Sequence, residues 1–272
     1  MDEVSIRYED DDVPATDVLS RDDSDISLDD FLGGAIRLFQ PKHGYRVSMD
    51  TVMLAAAVPA RSGQTVLEGG IGSAGAALCL ARRVAGVHVV GIEKQADMLA
   101  FANRNISYNN LENFVSVRQG CITDLAADNE VYDHVMINPP YLADGKGIRP
   151  PDASKGLAHM DTNVSLKDWL RFCVHKVRNK GTVTIIYRAD RVDEVIANLY
   201  RRVGEIKILP LWPRMGVPAK RVIIQGRKGM HGAATLLPGL ALHGDVERYT
   251  QEAKEILWDG KALDLKAFTC GR

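Results

Sequence analysis

Apolar and polar positions follow two rhythms along this chain. Short apolar runs of strand length recur at 64–68, 87–92, 114–118, 132–137 and 182–187. Longer stretches lie between them, at 76–83, 95–106 and 168–177, and repeat their apolar positions at helical spacing. Strand and helix in alternation predict a parallel, doubly wound α/β sheet. Two later runs, 206–209 and 221–225, come after a helix expected over 192–203. No helical stretch separates them, so they are expected to pair as an antiparallel hairpin at the sheet edge, making seven strands. One more helix is expected near 249–258.

Ahead of this core, residues 30–41 alternate enough for a short strand, and residues 42–47 for a turn and a second one. Ser48 or Asp50 can cap a helix through 49–58, stopped by Pro59. Residues 30–60 therefore read as a hairpin-and-helix lead-in packed across the entrance of the α/β core. The domain is expected over 30–260, with tails at 1–29 and 261–272. The first tail reads as disordered and acidic.

Charge sharpens that division. The first 30 residues hold twelve carboxylates and two arginines; taking these from totals of 35 acidic and 34 basic leaves 23 and 32. The body is formally near +9 although the chain as a whole carries −1. A basic body suits an anionic partner such as nucleic acid, although scattered surface charge produces the same count. No apolar stretch approaches the ~20 residues of a membrane span. Cys79, Cys121, Cys173 and Cys270 form no metal-binding spacing and read as reduced, cytoplasmic thiols.

Two stretches carry chemistry. The first strand runs from Glu68 into Gly69-Gly70-Ile71-Gly72-Ser73-Ala74-Gly75. Glycines there let backbone approach a ligand and free N–H groups at the helix start. A carboxylate at Glu68 repels a phosphate and attracts a sulfonium or ammonium. Glu93 ends the next strand, 21 positions beyond Gly72, the offset of a carboxylate that binds ribose hydroxyls. Ribose plus positive charge points to S-adenosylmethionine. A solvent-exposed Glu68 and a helix-capping Glu93 are the plainer alternatives. The second stretch, Asn138-Pro139-Pro140-Tyr141, closes the apolar run 135–137. Two prolines make the backbone rigid, Asn138 offers an amide, and Tyr141 a flat face. A strand-ending turn would use similar residues.

With these motifs the chain resembles the class I S-adenosylmethionine-dependent methyltransferases, in particular their amino-methylating members. Leu32-Gly33-Gly34, Gln40-Pro41, Gly44-Tyr45-Arg46-Val47-Ser48, Asp50, His243 and 249–252 resemble the bacterial tRNA(Val) adenine-N6 methyltransferases. The resemblance implies a single Rossmann-like domain with Asn138, Pro139, Pro140 and Tyr141 at the methyl-accepting amine. It also implies a cofactor site of Arg46, Glu68, Gly70, Gly72, Glu93, Cys121 and Ile122. Arg46 and Asp50 would close over the methionine end of the cofactor, with a helix cap open as the alternative for Asp50. Lys146, Arg149, Arg214, Lys220 and Arg221, with Arg227 and Lys228, would hold RNA phosphates at the mouth. His159 and Asp161 would lie in the long polar loop 142–164.

Two departures stand out. Ala74 occupies the place of a third glycine, which a Cβ tolerates if that residue is already helical. Cys121 stands where the family commonly has an Asp for the cofactor's adenine amine, and a thiol is a poor acceptor. Three rivals remain open at this level: a protein glutamine methyltransferase, a dinucleotide oxidoreductase, and an inert RNA-binding module. The expected partner is RNA, with no membrane and no metal.

Overall fold

The structure is a computed structural model describing residues 25–43, 46–125, 129–141, 164–244 and 247–268. The chain enters through an antiparallel hairpin, β1 (Ile26–Phe31) and β2 (Ile36–Pro41), followed by α1 (Met49–Ala57). This corrects the expected lead-in, whose hairpin lies earlier and includes residues assigned to the acidic tail. Leu32, Gly33 and Gly34 all have positive φ, so they form the hairpin turn instead of the interior of a strand. Asp29 and Asp30 pair with Arg46 and Arg37 and so belong to the fold.

Among the described residues the outer edge of β2 has no neighbouring strand; two asparagines of α3 (Ala96–Tyr108) and its C-cap complete it instead. Asn105 accepts from Phe39 N at 2.7 Å and donates to Phe39 O at 3.1 Å. Asn109 repeats the pattern on Arg37, at 3.0 and 2.7 Å. A side-chain amide carries both a donor and an acceptor, which is what one residue of a strand edge requires.

The central elements are β3 (Thr65–Gly69), α2 (Gly75–Arg83), β4 (His88–Glu93), β5 (Val115–Gln119), α4 (Ile122–Leu125) and β6 (Tyr132–Ile137). After them come α5 (Leu166–Lys176), β7 (Val177–Arg188), α6 (Val192–Leu199), β8 (Val203–Trp212) and β9 (Arg221–Lys228). Among the described residues the order across the sheet is β5-β4-β3-β6-β7-β9-β8. Strands β3 to β7 are parallel, and β9 runs antiparallel between β7 and β8. The seven expected strands and the edge hairpin are present. Two short strands, β10 (Thr235–Leu236) and β11 (Leu240–Ala241), add to β8 beyond that expectation.

Apolar side chains cover both faces of the sheet. Helices α1, α2, α3 and the last helix, α7 (Gln251–Leu257), pack on one face and α5 and α6 on the other. Leu263 and Leu265 are buried and Leu263 N donates to Ala56 O at 2.9 Å, so residues 261–268 belong to the domain, not to a tail. Among the described residues no helix is long and apolar enough to cross a membrane.

Helix α5 starts with a full capping box, Ser165 bonding the Asp168 N–H while the Asp168 carboxylate accepts from Ser165 N. Leu170, Phe172 and Cys173 then bury completely, each apolar side chain contributing about 1.5–3 kcal/mol. That anchorage sets the position of Trp169, on the same turn, over the carboxyl end of β3.

Candidate active site

Strand order creates the site. The chain runs outward from β3 to β4 and β5, then returns to β6 on the other side of β3. In such sheets ligands bind outside the carboxyl ends of the strands where the direction reverses. Gly69 pairs with Ile137 across β3 and β6, and with Ile92 across β3 and β4. The glycine turn, the 138–141 motif and Glu93 therefore leave three adjacent strands at the same level.

They line one cavity of about 390 Å³, within the roughly 300–1,000 Å³ range of small-molecule sites. At the β4–β5 end its wall holds Glu93, Gln95, Asp97, Gly120, Cys121 and Ile122. Gly70 and Gly72 lie between, and Asn138, Pro139, Pro140, Tyr141, Asp50 and Arg221 form the other end. Of the expected cofactor residues, Arg46, Gly70, Gly72, Glu93, Cys121 and Ile122 are in this wall and Glu68 is not.

Gly70 has φ +67°, and a Cβ there would lie 2.9 Å from Trp169 Cη2. Close approach and a left-handed backbone both require glycine. The turn is braced by its neighbour strand: Gly70 N and Ile71 N donate to Ile92 O at 2.9 and 3.0 Å. Glu93 Oε2 accepts from Gly72 N and Oε1 from Gln95 N, each at 2.9 Å. Burial raises the Glu93 pKa against the lowering effect of those bonds. The Lys94 backbone N–H also bonds this carboxylate, and of its roughly four acceptor positions one remains for a ribose hydroxyl.

Glu68, expected to face the positive charge of the cofactor, is outside the cavity wall. Its buried carboxylate lies behind the turn and accepts from the Ala77 backbone N–H in the first turn of α2. Helix α2 has no capping side chain of its own, because Ala74 stands at its N-cap. Burial pushes the Glu68 pKa well up, and Oε2 has no hydrogen-bond partner among the described residues. Ala74 does not meet the condition under which a Cβ is tolerated there: φ 69° and ψ 18° put it in the left-handed region, not the helical one, at a cost of roughly 1–2 kcal/mol for a non-glycine residue. The next residue leaves no room for a side chain, since a Cβ on Gly75 would sit 2.8 Å from the Val47 side chain. The lead-in thus packs directly on the glycine turn.

Arg46 lines the cavity, but its guanidinium holds the lead-in together, donating to Asp29 Oδ2 at 2.6 Å, Ser27 Oγ at 3.0 Å and Pro41 O at 3.1 Å. Cys121 is partly exposed, and Thr123 Oγ1 lies 3.1 Å from its sulfur and 3.1 Å from Asp124 Oδ1. By contrast Cys79 is deeply buried, and burial with the nearby Glu68 charge pushes its thiol up to about 12.

At the other end three distant segments converge. Tyr141 donates to Asp50 Oδ2 at 2.8 Å, and Arg221 Nε donates to the same oxygen at 2.6 Å. The Arg221 guanidinium carbon lies 4.6 Å from the centre of the Tyr141 ring. Burial, then the Asp50 charge, raises the Tyr141 pKa, so the phenol stays protonated. Burial works against the Arg221 cation, but its bond to Asp50 and that carboxylate's charge outweigh it and raise its pKa. Ser48, not Asp50, caps α1.

Arg221, expected at RNA phosphates, is engaged here with Asp50 and Tyr141. Arg214 and Lys220 are exposed in the turn before β9, at the cavity end of that strand. Arg227 and Lys228 are at its opposite end, about 20 Å away at strand rise, bonded to Glu205 and to Val177 O. Lys146, Arg149, His159 and Asp161 lie outside the described residues. Among wall residues that sequence reasoning missed, Gln95 and Asp97 stand close enough after Glu93 to have been suspected. Trp169 gave no local signal.

Residues 66–159 match a family model described as "Methyltransferase domain". Among curated proteins, the chain is 26% identical over 168 residues to a tRNA1(Val) (adenine(37)-N6)-methyltransferase of Aeromonas salmonicida (strain A449), covering 60% of this chain and 70% of that protein. A protein of the same name from Shewanella baltica (strain OS195) is 23% identical over 223 residues, covering 79% of this chain and 92% of that protein. Among solved structures, a predicted O-methyltransferase from Agrobacterium tumefaciens superposes with TM-score 0.65 at 22% identity, covering 79% of this chain and 98% of that one. The matched segment holds both the turn after β3 and the motif after β6, and the chain accordingly carries a class I methyltransferase domain with S-adenosylmethionine as its cosubstrate.

Proposed function

We propose that this methyltransferase modifies the exocyclic N6 amine of an adenine in RNA, with tRNA beside the anticodon as the substrate. The observation that carries the reading is the presence of Asn138, Pro139, Pro140 and Tyr141 in the same cavity wall as Gly70, Gly72 and Glu93. The names of the relatives and the basic balance of residues 31–272 support RNA as the acceptor.

An adenine N6 lone pair is delocalised into the ring and is a weak nucleophile. The Asn138 side-chain oxygen and the Pro139 carbonyl accept its two N–H groups, which favours a more localised lone pair. Arg221 covers one face of the Tyr141 ring, so the base is set against the remaining surface of that ring. S-adenosylmethionine supplies an electrophilic methyl group. Gly70, Gly72, Glu93 and Ile122 hold the cofactor, and the 138–141 segment orients the base, so positioning and electrostatics carry the catalysis. No strong base is required, because the methylated nitrogen sheds its proton readily. The target base must leave its stack, at a cost of a few kcal/mol that an anticodon-loop nucleotide largely avoids. Arg214, Lys220, Lys146 and Arg149 hold flanking phosphates, so RNA affinity falls steeply with salt.

Incubation with labelled S-adenosylmethionine and total tRNA, then digestion to nucleosides, tests the reading. N6-methyladenosine is the expected product. Label on a protein glutamine, or bound RNA with no label, would overturn it.

A further inference from the structure

The Asn138 oxygen has a competitor for its lone pairs. Tyr141 Oη lies 3.4 Å from Asn138 Oδ1 and 2.8 Å from Asp50 Oδ2. A phenol has one proton to donate, so these acceptors compete for it. Asp50 lies in the first turn of α1, is buried, and is paired with Arg221 across 171 positions of sequence. A carboxylate accepts a hydrogen bond about twice as strong as a neutral amide oxygen does. The phenol proton therefore goes to Asp50.

We propose that Asp50 and Arg221 are positioning residues: they capture the Tyr141 hydroxyl and so leave the Asn138 oxygen open to the incoming amine. Arg221 does this twice, by orienting the Asp50 carboxylate through Nε and by covering one face of the Tyr141 ring. Tyr187 packs edge-on against that ring, 5.5 Å between centres at 62°, which restricts its tilt. Capping does not explain Asp50, since Ser48 already caps α1. The identity of the amine rests on the reading proposed above; the competition for the hydroxyl does not.

Among the described residues, removing Asp50 leaves the Tyr141 hydroxyl only the Asn138 oxygen as acceptor. Asp50→Ala is expected to lower kcat about 10- to 100-fold, the scale of a misplaced reacting group, with S-adenosylmethionine affinity retained. Adding Tyr141→Phe to that variant deletes the competing hydroxyl and should recover much of the lost kcat. A merely structural Asp50 gives no recovery, and a double variant no faster than Asp50→Ala would overturn the proposal. A second readout needs no substrate. The Asn138 side-chain carboxamide resonance should move in Asp50→Ala and return in the double variant; an unmoved resonance would overturn the proposal as well. Should Asp50→Ala fail to fold, Asp50→Asn keeps the shape, removes the charge, and allows the same comparisons. If the wild-type protein labels no RNA, the adenine reading falls, and the resonance comparison still decides this one.

Discussion

Asn105→Ala is expected to destabilise the protein by about 5 kcal/mol and to weaken cosubstrate binding. The Asn105 side chain is fully buried and completes three backbone groups. It accepts from Phe39 N at 2.7 Å and donates to Phe39 O at 3.1 Å and Ser73 O at 2.9 Å. Alanine leaves all three unpartnered, and a buried backbone group so stranded costs about 1–3 kcal/mol. The N–H falls near the upper end and the carbonyls, with a second lone pair each, near the lower. Against a typical total of about 5–15 kcal/mol the loss is large. Asn105→Asp is the sharper probe: it keeps the acceptor for Phe39 N but aims a carboxylate oxygen at two carbonyls. It should cost more than alanine at neutral pH and recover as acid protonates the new carboxyl. Urea denaturation of both variants, paired with calorimetric titration of S-adenosylmethionine, measures both effects, because Ser73 belongs to the glycine turn. Stability within about 1 kcal/mol of wild type for Asn105→Ala, with unchanged cosubstrate affinity, would refute the reasoning.

Further outcomes concern the two ends of the cavity and the base of the sheet. Asn138→Ala should lower turnover at least about 100-fold, as loss of a preorganised polar contact does, while calorimetry shows cosubstrate binding intact; near-normal activity would remove Asn138 from the amine. Cys121→Asp replaces a poor acceptor in the cavity wall with a good one, and should tighten S-adenosylmethionine binding by roughly one hydrogen bond, about 1 kcal/mol. Unchanged or weaker binding would count against an adenine subsite there. His134 is buried with Nε2 3.1 Å from Gln64, and burial lowers its pKa to about 4. A depressed histidine pKa means the unfolded chain binds the extra proton, so stability is full above about pH 6.5 and falls as pH drops towards 4. The difference in denaturation free energy between wild type and His134→Gln should change across that window by up to about 1.4 kcal/mol per pH unit; a flat difference would contradict it. The comparison with His134→Gln cancels Glu68 and Glu93, whose raised pKa values pull the other way.

Much of the framework was legible in local pattern. Strand β6 begins and ends where the apolar run does, and the parallel strands, the edge hairpin and most helices come from periodicity of 2 or 3.6. The lead-in hairpin was misplaced because its first strand is hidden in an acidic stretch, where Asp29 and Asp30 look like tail until Arg46 and Arg37 are seen opposite them. The left-handed backbone of Ala74 had no local signal, since alanine is not a residue type that favours positive φ.

Residue type and spacing by themselves determined the glycine turn, the carboxylate at the end of the next strand, and the rigid Asn-Pro-Pro-Tyr segment. Those features are local, because backbone conformation and donor chemistry are set within a few residues. Tertiary structure alone decided that β3 and β6 are neighbours, which brings the two motifs into one cavity. It also assigned the charges. Glu68 went behind the turn, Arg221 went to Asp50 and Tyr141, and Arg227 and Lys228 went to the far end of β9. A charge is worth little in water and much where burial and a partner meet, and a partner 171 positions away is not written in any local pattern.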